Sequence, residues 1–280
     1  MDYLYYPGCS LEGTAKEYDI SCRALFEALG DRLTEIPDWT CCGATAAQCV
    51  DPFLSVVLPA RNLALAEKTD TGLDVLVPCS ACYLNLKKAR QDLWENNALR
   101  AQVNQVLAED GLAVNASVRV RHLLDVLTRD GAVDRVAQLS ENRMKGLVIA
   151  PYYGCQCLRP YVEFDDPEQP RSMDALIRAT GADVLAWDMG AVCCGASTAT
   201  TKPQVGKELV GRILDQAKTA HAVVTVCPMC QMNLERFQSR SVPVVYLPQF
   251  LGLSLGMPAE SLGCGMNLSD IRPVLSRVAP

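Results

Sequence analysis

Ten cysteines fall into one pattern that the chain runs twice. The first copy is Cys9, then Cys41-Cys42, then Cys79-x-x-Cys82; the second is Cys155, then Cys193-Cys194, then Cys227-x-x-Cys230. Thiolates are soft ligands and redox groups, so the set points to metal binding or thiol chemistry. The residues beside them repeat as well. Tyr5-Tyr6-Pro7-Gly8 precedes Cys9 and Tyr152-Tyr153-Gly154 precedes Cys155, while Gly43 and Gly195 follow the adjacent pairs. The three elements recur at offsets of 146, 152 and 148 residues, in the same order. This is an internal duplication, with five thiols in each half.

Five thiols around one point suit some occupants better than others. A structural zinc takes four ligands, commonly from two Cys-x-x-Cys pairs or a Cys/His mixture. Here each half has one such pair, one adjacent pair and one single cysteine. Adjacent cysteines in extended backbone point opposite ways, which favours bridging a large object over gripping one ion. A polynuclear iron–sulfur centre is therefore the leading reading. The Cys-x-x-Cys-x-x-Cys run of a ferredoxin cubane is absent from the chain. A zinc scaffold using four of each five thiols is the non-enzymatic alternative.

The elements that must position these thiols can be read from apolar runs and breakers. Strands are expected at Leu4–Tyr6, Leu73–Val77, Gly146–Ala150, Ala182–Trp187 and Ala222–Val226. Helices are expected at Thr14–Leu29, Ser80–Trp94, Ser172–Thr180 and Lys207–Ala220. Arg119–Leu127 contains a strand or a packed helix, which periodicity does not separate. Alternating strands and helices predict an α/β fold of two pseudo-symmetric repeats, each a small parallel sheet with flanking helices. Cysteines that follow strands and precede helices then converge at the carboxyl edge of each sheet. The expected domains are 1–140 and 141–280.

Composition narrows the function classes. The chain has 280 residues, 49% of them apolar, 14 of them cysteine and a net charge of −6. That bounds it to two ordinary domains or one large one, with a sizeable core. The acidic balance disfavours a phosphate-gripping nucleic-acid protein. No secretory leader or run long enough to span a bilayer is read, so a cytoplasmic protein without membrane insertion is expected. A reducing compartment makes clustered thiols ligands rather than disulfides. No Walker loop, Gly-x-Gly-x-x-Gly run or serine-triad motif is present, so nucleotides and flavin belong elsewhere.

With these residues in view, each half resembles the Cys-Cys-Gly domain, and the chain resembles the B-type subunit of heterodisulfide reductase. The match lies in Cys9, 31 intervening residues, Cys41-Cys42, 36 more and Cys79-x-x-Cys82. It continues in Cys155, 37 residues, Cys193-Cys194, 32 residues and Cys227-x-x-Cys230, with Pro151-Tyr-Tyr-Gly-Cys-Gln156 and Arg159-Pro-Tyr161 resembling a second family motif. The resemblance implies two noncubane [4Fe-4S] clusters, each held by five cysteines. It implies reductive cleavage, or formation, of a disulfide between them. It also implies two partners, a small ferredoxin-type iron–sulfur subunit and, upstream of it, a flavoprotein subunit. The substrate it implies is a disulfide or protein-bound sulfur. An electron-transfer subunit of a lactate, glycolate or thiol-linked fumarate reductase complex is the alternative.

Several residues carry a functional reading beside a plainer one. Cys157 departs from the family pattern; it reads as a packed small side chain, with a sixth ligand or a second reactive thiol as the alternative. Arg159 pairs with an anionic substrate group or makes a surface salt bridge. Lys87, Lys88 and Arg90 read as a solvated helix face, and the loop from Phe164 to Pro170 as solvated surface rather than a lip or partner contact. Cys22, Cys49 and Cys264 read as buried or inert, and His122 and His221 as structural.

Overall fold

The structure, a computed structural model, describes residues 1–44, 46–237 and 242–278. Among the described residues, eight strands make two four-stranded parallel sheets. The first contains β1 (Asp2–Tyr5), β2 (Arg32–Glu35), β3 (Val75–Val77) and β4 (Val120–His122), in the order β2-β1-β3-β4. The second contains β5 (Val148–Tyr152), β6 (Asp183–Val184), β7 (Ala222–Thr225) and β8 (Val244–Tyr246), in the order β6-β5-β7-β8. The two orders are the same, so the duplication seen in the cysteines is a duplication of the fold. Central β3 and β7 are buried at every residue, as short apolar runs covered by helices on both faces must be.

The halves pack by exchanging equivalent helices. Lys16–Ala28, which follows β1, packs on Leu247–Ser254, which follows β8. Leu123–Arg129, which follows β4, packs on Ser172–Ala179, the first regular helix after β5. One apolar core runs from the first half into the second, and a smaller one covers the other face of the second sheet. The C-terminal turns reach back too, since Gly263 lies against the backbone of Glu17.

Most expected elements are present with shifted ends. The segment 119–127 holds both alternatives in succession, β4 and then the helix Leu123–Arg129. The strand expected at Ala182–Trp187 is only two residues long. Helix 207–220 begins earlier, at Pro203, where a proline at the first turn lacks only an N–H that had no partner. Three corrections concern surfaces. Lys87 is largely covered and bonds Glu163 at 2.9 Å, joining the halves. Arg90 donates to the Val118 carbonyl at 2.7 Å rather than facing solvent. Phe164, at the start of the acidic loop, stacks on His122, with ring planes 2° apart and centroids 6.0 Å apart.

His122 is fully buried, and burial pushes its imidazole down to about 3. Its Nδ1 accepts the Leu124 N–H at 3.2 Å, closing the first turn of that helix. A base whose pKa is depressed by folding takes its proton more readily when unfolded. Stability is therefore unaffected above about pH 6.5 and falls below it, by up to about 1.4 kcal/mol per unit down to about pH 3. Denaturant titrations between pH 7 and 4 should show this slope in the native chain and a shallower one in His122→Gln. Equal slopes would contradict a neutral buried imidazole.

Candidate thiol centres

In the first half, β1 ends at Tyr5, Tyr6-Pro7-Gly8 follow, and Cys9 opens the short helix Cys9–Glu12. Cys41 and Cys42 lie on the segment after β2, and Cys79 caps the helix Ser80–Glu95 after β3. Three loops at the carboxyl edge thus deliver five thiols, as the strand–helix order requires. The Cys42 and Cys82 sulfurs are 3.3 Å apart, and those of Cys41 and Cys9 are 3.8 Å apart. Cys41 is exposed while Cys42 is buried, the opposite facing expected of neighbours in extended backbone. Cys79 and Cys82 are buried as well.

The second half repeats this arrangement. Cys194 and Cys230 have sulfurs 3.6 Å apart, and both are buried with Cys227. Cys155 is half-buried and Cys193 exposed. The glycine after each pair donates its N–H to the first sulfur, Gly43 to Cys41 at 3.4 Å and Gly195 to Cys193 at 3.3 Å. Each centre is closed on its Cys-x-x-Cys side and open on the side of its single cysteine.

The thiols depress and raise one another. Contact with Cys41, then Cys82, pulls Cys42 down to about 4, while Cys41 and Cys82 are pushed up by the same contacts. Cys193 is pulled down to about 6 by Cys155, helped by the Gly195 N–H and the Arg159 charge. Cys227 falls to about 7 through Cys230, which is itself pushed well up by Cys194 first. Within each centre the contacts between thiols favour the thiolate form of one partner, Cys42 in the first and Cys193 in the second.

Sequence reasoning missed the residues that shape the backbone here. Asn85 donates to the Cys42 carbonyl at 3.1 Å, and Asn233 to the Cys194 carbonyl at 2.7 Å. Tyr6 donates to the Thr40 carbonyl and Tyr152 to the Val192 carbonyl, both at 2.7 Å. The signal was available: both halves read Cys-x-x-Cys-x-x-Asn, and the tyrosines keep the 146-residue offset. Asn62, which pins both the N–H and the carbonyl of Thr40, serves the first half alone.

Gly8 and Gly154 have φ of +76° and +71°, and a Cβ there would lie 2.8 Å from the Cys82 sulfur and 2.9 Å from the Cys230 sulfur. Gly154→Ala should lower metal bound by the second half, measured as metal per chain, because the methyl displaces a thiol. Gly146→Ala is the control, with φ +87° and nothing within 4 Å of the added methyl. It should cost about 1–2 kcal/mol of stability through the backbone alone and leave metal binding intact. Equal metal content in both variants would contradict the crowding.

Other cysteines and polar residues take plainer places. Cys157 is buried, donates to the Tyr153 carbonyl at 3.3 Å, and is pushed up to about 12 by burial and then by Cys227. This geometry matches the packed side chain rather than a free nucleophile. Arg159 bonds Glu168 at 2.7 Å and the Ala191 carbonyl at 2.7 Å, the plainer of its two readings. Cys22 and Cys264 are buried, but Cys49 is exposed on the short helix Ala47–Val50. His221 accepts the Val148 N–H at 2.8 Å. Among the described residues, no three His, Cys, Asp or Glu side chains close on a point as the ligands of one ion do.

Comparison with known proteins agrees with this architecture. A family model described as "Cysteine-rich domain" matches residues 3–87 and 149–235. The 8-methylmenaquinol:fumarate reductase membrane anchor subunit of Wolinella succinogenes is 36% identical, over 96% of this chain and 97% of that one. A protein of Archaeoglobus profundus, named for its likeness to the B-type subunit of heterodisulfide reductase, is 28% identical, over 99% and 98%. A solved structure of a hypothetical protein from Helicobacter pylori superposes with a TM-score of 0.73 at 14% identity, over 96% of this chain. The chain spans about half the length of that solved protein, 52%, and the likeness is one of fold.

Proposed function

The chain belongs to the cysteine-rich domain family, with the domain present twice, and we propose from this premise that it is an iron–sulfur subunit of a heterodisulfide reductase-type complex. In this reading Cys9, Cys41, Cys42, Cys79 and Cys82 hold one noncubane [4Fe-4S] cluster, and Cys155, Cys193, Cys194, Cys227 and Cys230 hold a second. The observation that carries it is the repeated sulfur contact, Cys42 to Cys82 at 3.3 Å and Cys194 to Cys230 at 3.6 Å. An all-sulfur donor set of five thiols in each half, one more than a structural zinc takes, fits a cluster better than zinc. Bound clusters of this kind supply one-electron redox steps and iron sites that accept sulfur.

The chain's own residues do the rest. Burial of Cys42, Cys79 and Cys82, and of their counterparts, keeps water from one side of each centre. Asn85 and Asn233 fix the loops that carry the adjacent pairs. The exposed Cys9 and Cys41 in the first half, and the half-buried Cys155 and exposed Cys193 in the second, leave room for approach. The reaction is cleavage or formation of a disulfide or protein-bound sulfur bond. Electrons come from a ferredoxin-type subunit supplied by a flavoprotein, and the complex works in the cytoplasm. Among the described residues no helix is long and apolar enough to cross a membrane.

A second reading is favoured by the 36% identity to a subunit named for a quinol:fumarate reductase. There the same centres pass electrons within a fumarate-reducing complex. Isolating the native complex through this chain and assaying disulfide and fumarate reduction with a reduced viologen separates the two. Disulfide turnover that Cys42→Ser abolishes supports the first; fumarate turnover with no disulfide turnover overturns it in favour of the second.

A further inference from the structure

One buried hydroxyl serves both thiol centres. Tyr18, in the helix Lys16–Ala28, is fully buried, and its oxygen lies 3.1 Å from the Pro78 carbonyl and 3.0 Å from the Val226 carbonyl. Those carbonyls belong to the peptides leading into Cys79 and Cys227, the same position in each repeat. A hydroxyl has one proton to donate, so the two carbonyls share it. The ring is held by Tyr246, stacked at 4.1 Å with planes 5° apart.

A second polar link runs beside it. The Ser80 hydroxyl lies 3.4 Å from the Val226 carbonyl and 3.2 Å from His122 Nε2. Since His122 Nδ1 accepts the Leu124 N–H, the ring's own proton sits on Nε2, facing Ser80 and the Pro78 carbonyl. The duplication has not copied the Tyr18 contact. His122 holds in β4 the place that Tyr246 holds in β8, each beside the last residue of the neighbouring strand. The ring stacked on His122 is Phe164, 146 residues after Tyr18, which has no hydroxyl.

We propose that Tyr18 is a positioning residue that couples the two thiol centres, so that the geometry of one Cys-x-x-Cys turn depends on the other. The proposal rests on the reading that both centres hold redox clusters. Donation to a carbonyl polarises the peptide and its N–H, here those of Cys79 and Cys227. Dipoles and hydrogen bonds beside ligand sulfurs are among the levers that set cluster potential. Movement of either turn redistributes the shared proton and alters the other centre.

The test is Tyr18→Phe in the full chain, which keeps the ring and its stack. The control is Tyr3→Phe, whose hydroxyl bonds Asp130 at 2.7 Å near the other end of β1. Hydrogen exchange should quicken about fivefold in both Cys79–Cys82 and Cys227–Cys230 for Tyr18→Phe, the factor one net hydrogen bond carries. It should not change there in Tyr3→Phe. In cluster-loaded protein, both midpoint potentials should fall in Tyr18→Phe and neither in the control. Faster exchange in one turn only or in neither, or unmoved potentials in loaded protein, overturns the coupling. A chain that binds zinc alone overturns the proposed function instead, and exchange then decides the coupling by itself.

Discussion

Cys230→Ser is expected to remove about half of the iron the chain binds, from about eight atoms to about four. The Cys230 sulfur meets Cys194 at 3.6 Å and lies against Gly154, so its loss opens the buried wall of the second centre. Serine oxygen is harder and a poorer match to iron than thiolate. The first centre shares no cysteine with the second and should keep its iron. Cys157→Ser is the paired variant: a thiol that donates to the Tyr153 carbonyl is replaced by a hydroxyl that does the same. Iron should be unchanged. Loss of iron in Cys157→Ser would instead make this cysteine a ligand, and retention of all iron in Cys230→Ser would remove Cys230 from the site.

The second large effect concerns stability. Arg121 on β4 is buried, with its side chain 6% exposed. It bonds Asp125 at 2.8 Å and Asp130 at 2.6 and 3.1 Å, and Tyr3 donates to the same Asp130. Arg121→Met strips the 2.8 Å partner from Asp125, which is as buried as the arginine and keeps only Arg129 at 3.4 Å, and removes both of the arginine's bonds to Asp130. Breaking such a buried network from one side costs about 3–5 kcal/mol, a fall of about 10 °C in melting temperature for a chain of this size. Against its desolvation, bonds from Arg121 and Tyr3 hold Asp130 below the usual carboxylate range, so the deficit should shrink as the pH drops into that range and protonation removes the charge stranded there. Arg212→Met is the comparison. Its partner Glu208 is exposed, and the pair contributes at most about 0.5 kcal/mol. Similar melting temperatures for the two variants would show that the Arg121 network is not a buried one.

What could be read from the sequence follows from where the signal was strong. The thiol pattern repeats in type, order and spacing, so the two five-cysteine sets and the doubled α/β fold are visible at once. β2 gives no such signal, because Arg32–Glu35 is a short polar edge strand with no apolar run. The helix Leu54–Lys68 carries Pro59 inside it, past the first turn, and that proline reads as a breaker. Phe164 and Lys87 read as solvated surface because their partners, His122 and Glu163, lie in the other half. Local patterning cannot show contacts across a duplication. Tyr18 is hidden for the same reason, since its two acceptors are 60 and 208 residues away.

The chemistry of this chain turns on what the ten thiols hold. Iron, zinc and acid-labile sulfide should be measured per chain on protein purified without oxygen. About eight iron with matching sulfide is the predicted result, two polynuclear clusters in two equivalent centres. About two zinc and no sulfide would contradict it, leaving a duplicated thiol scaffold without redox chemistry.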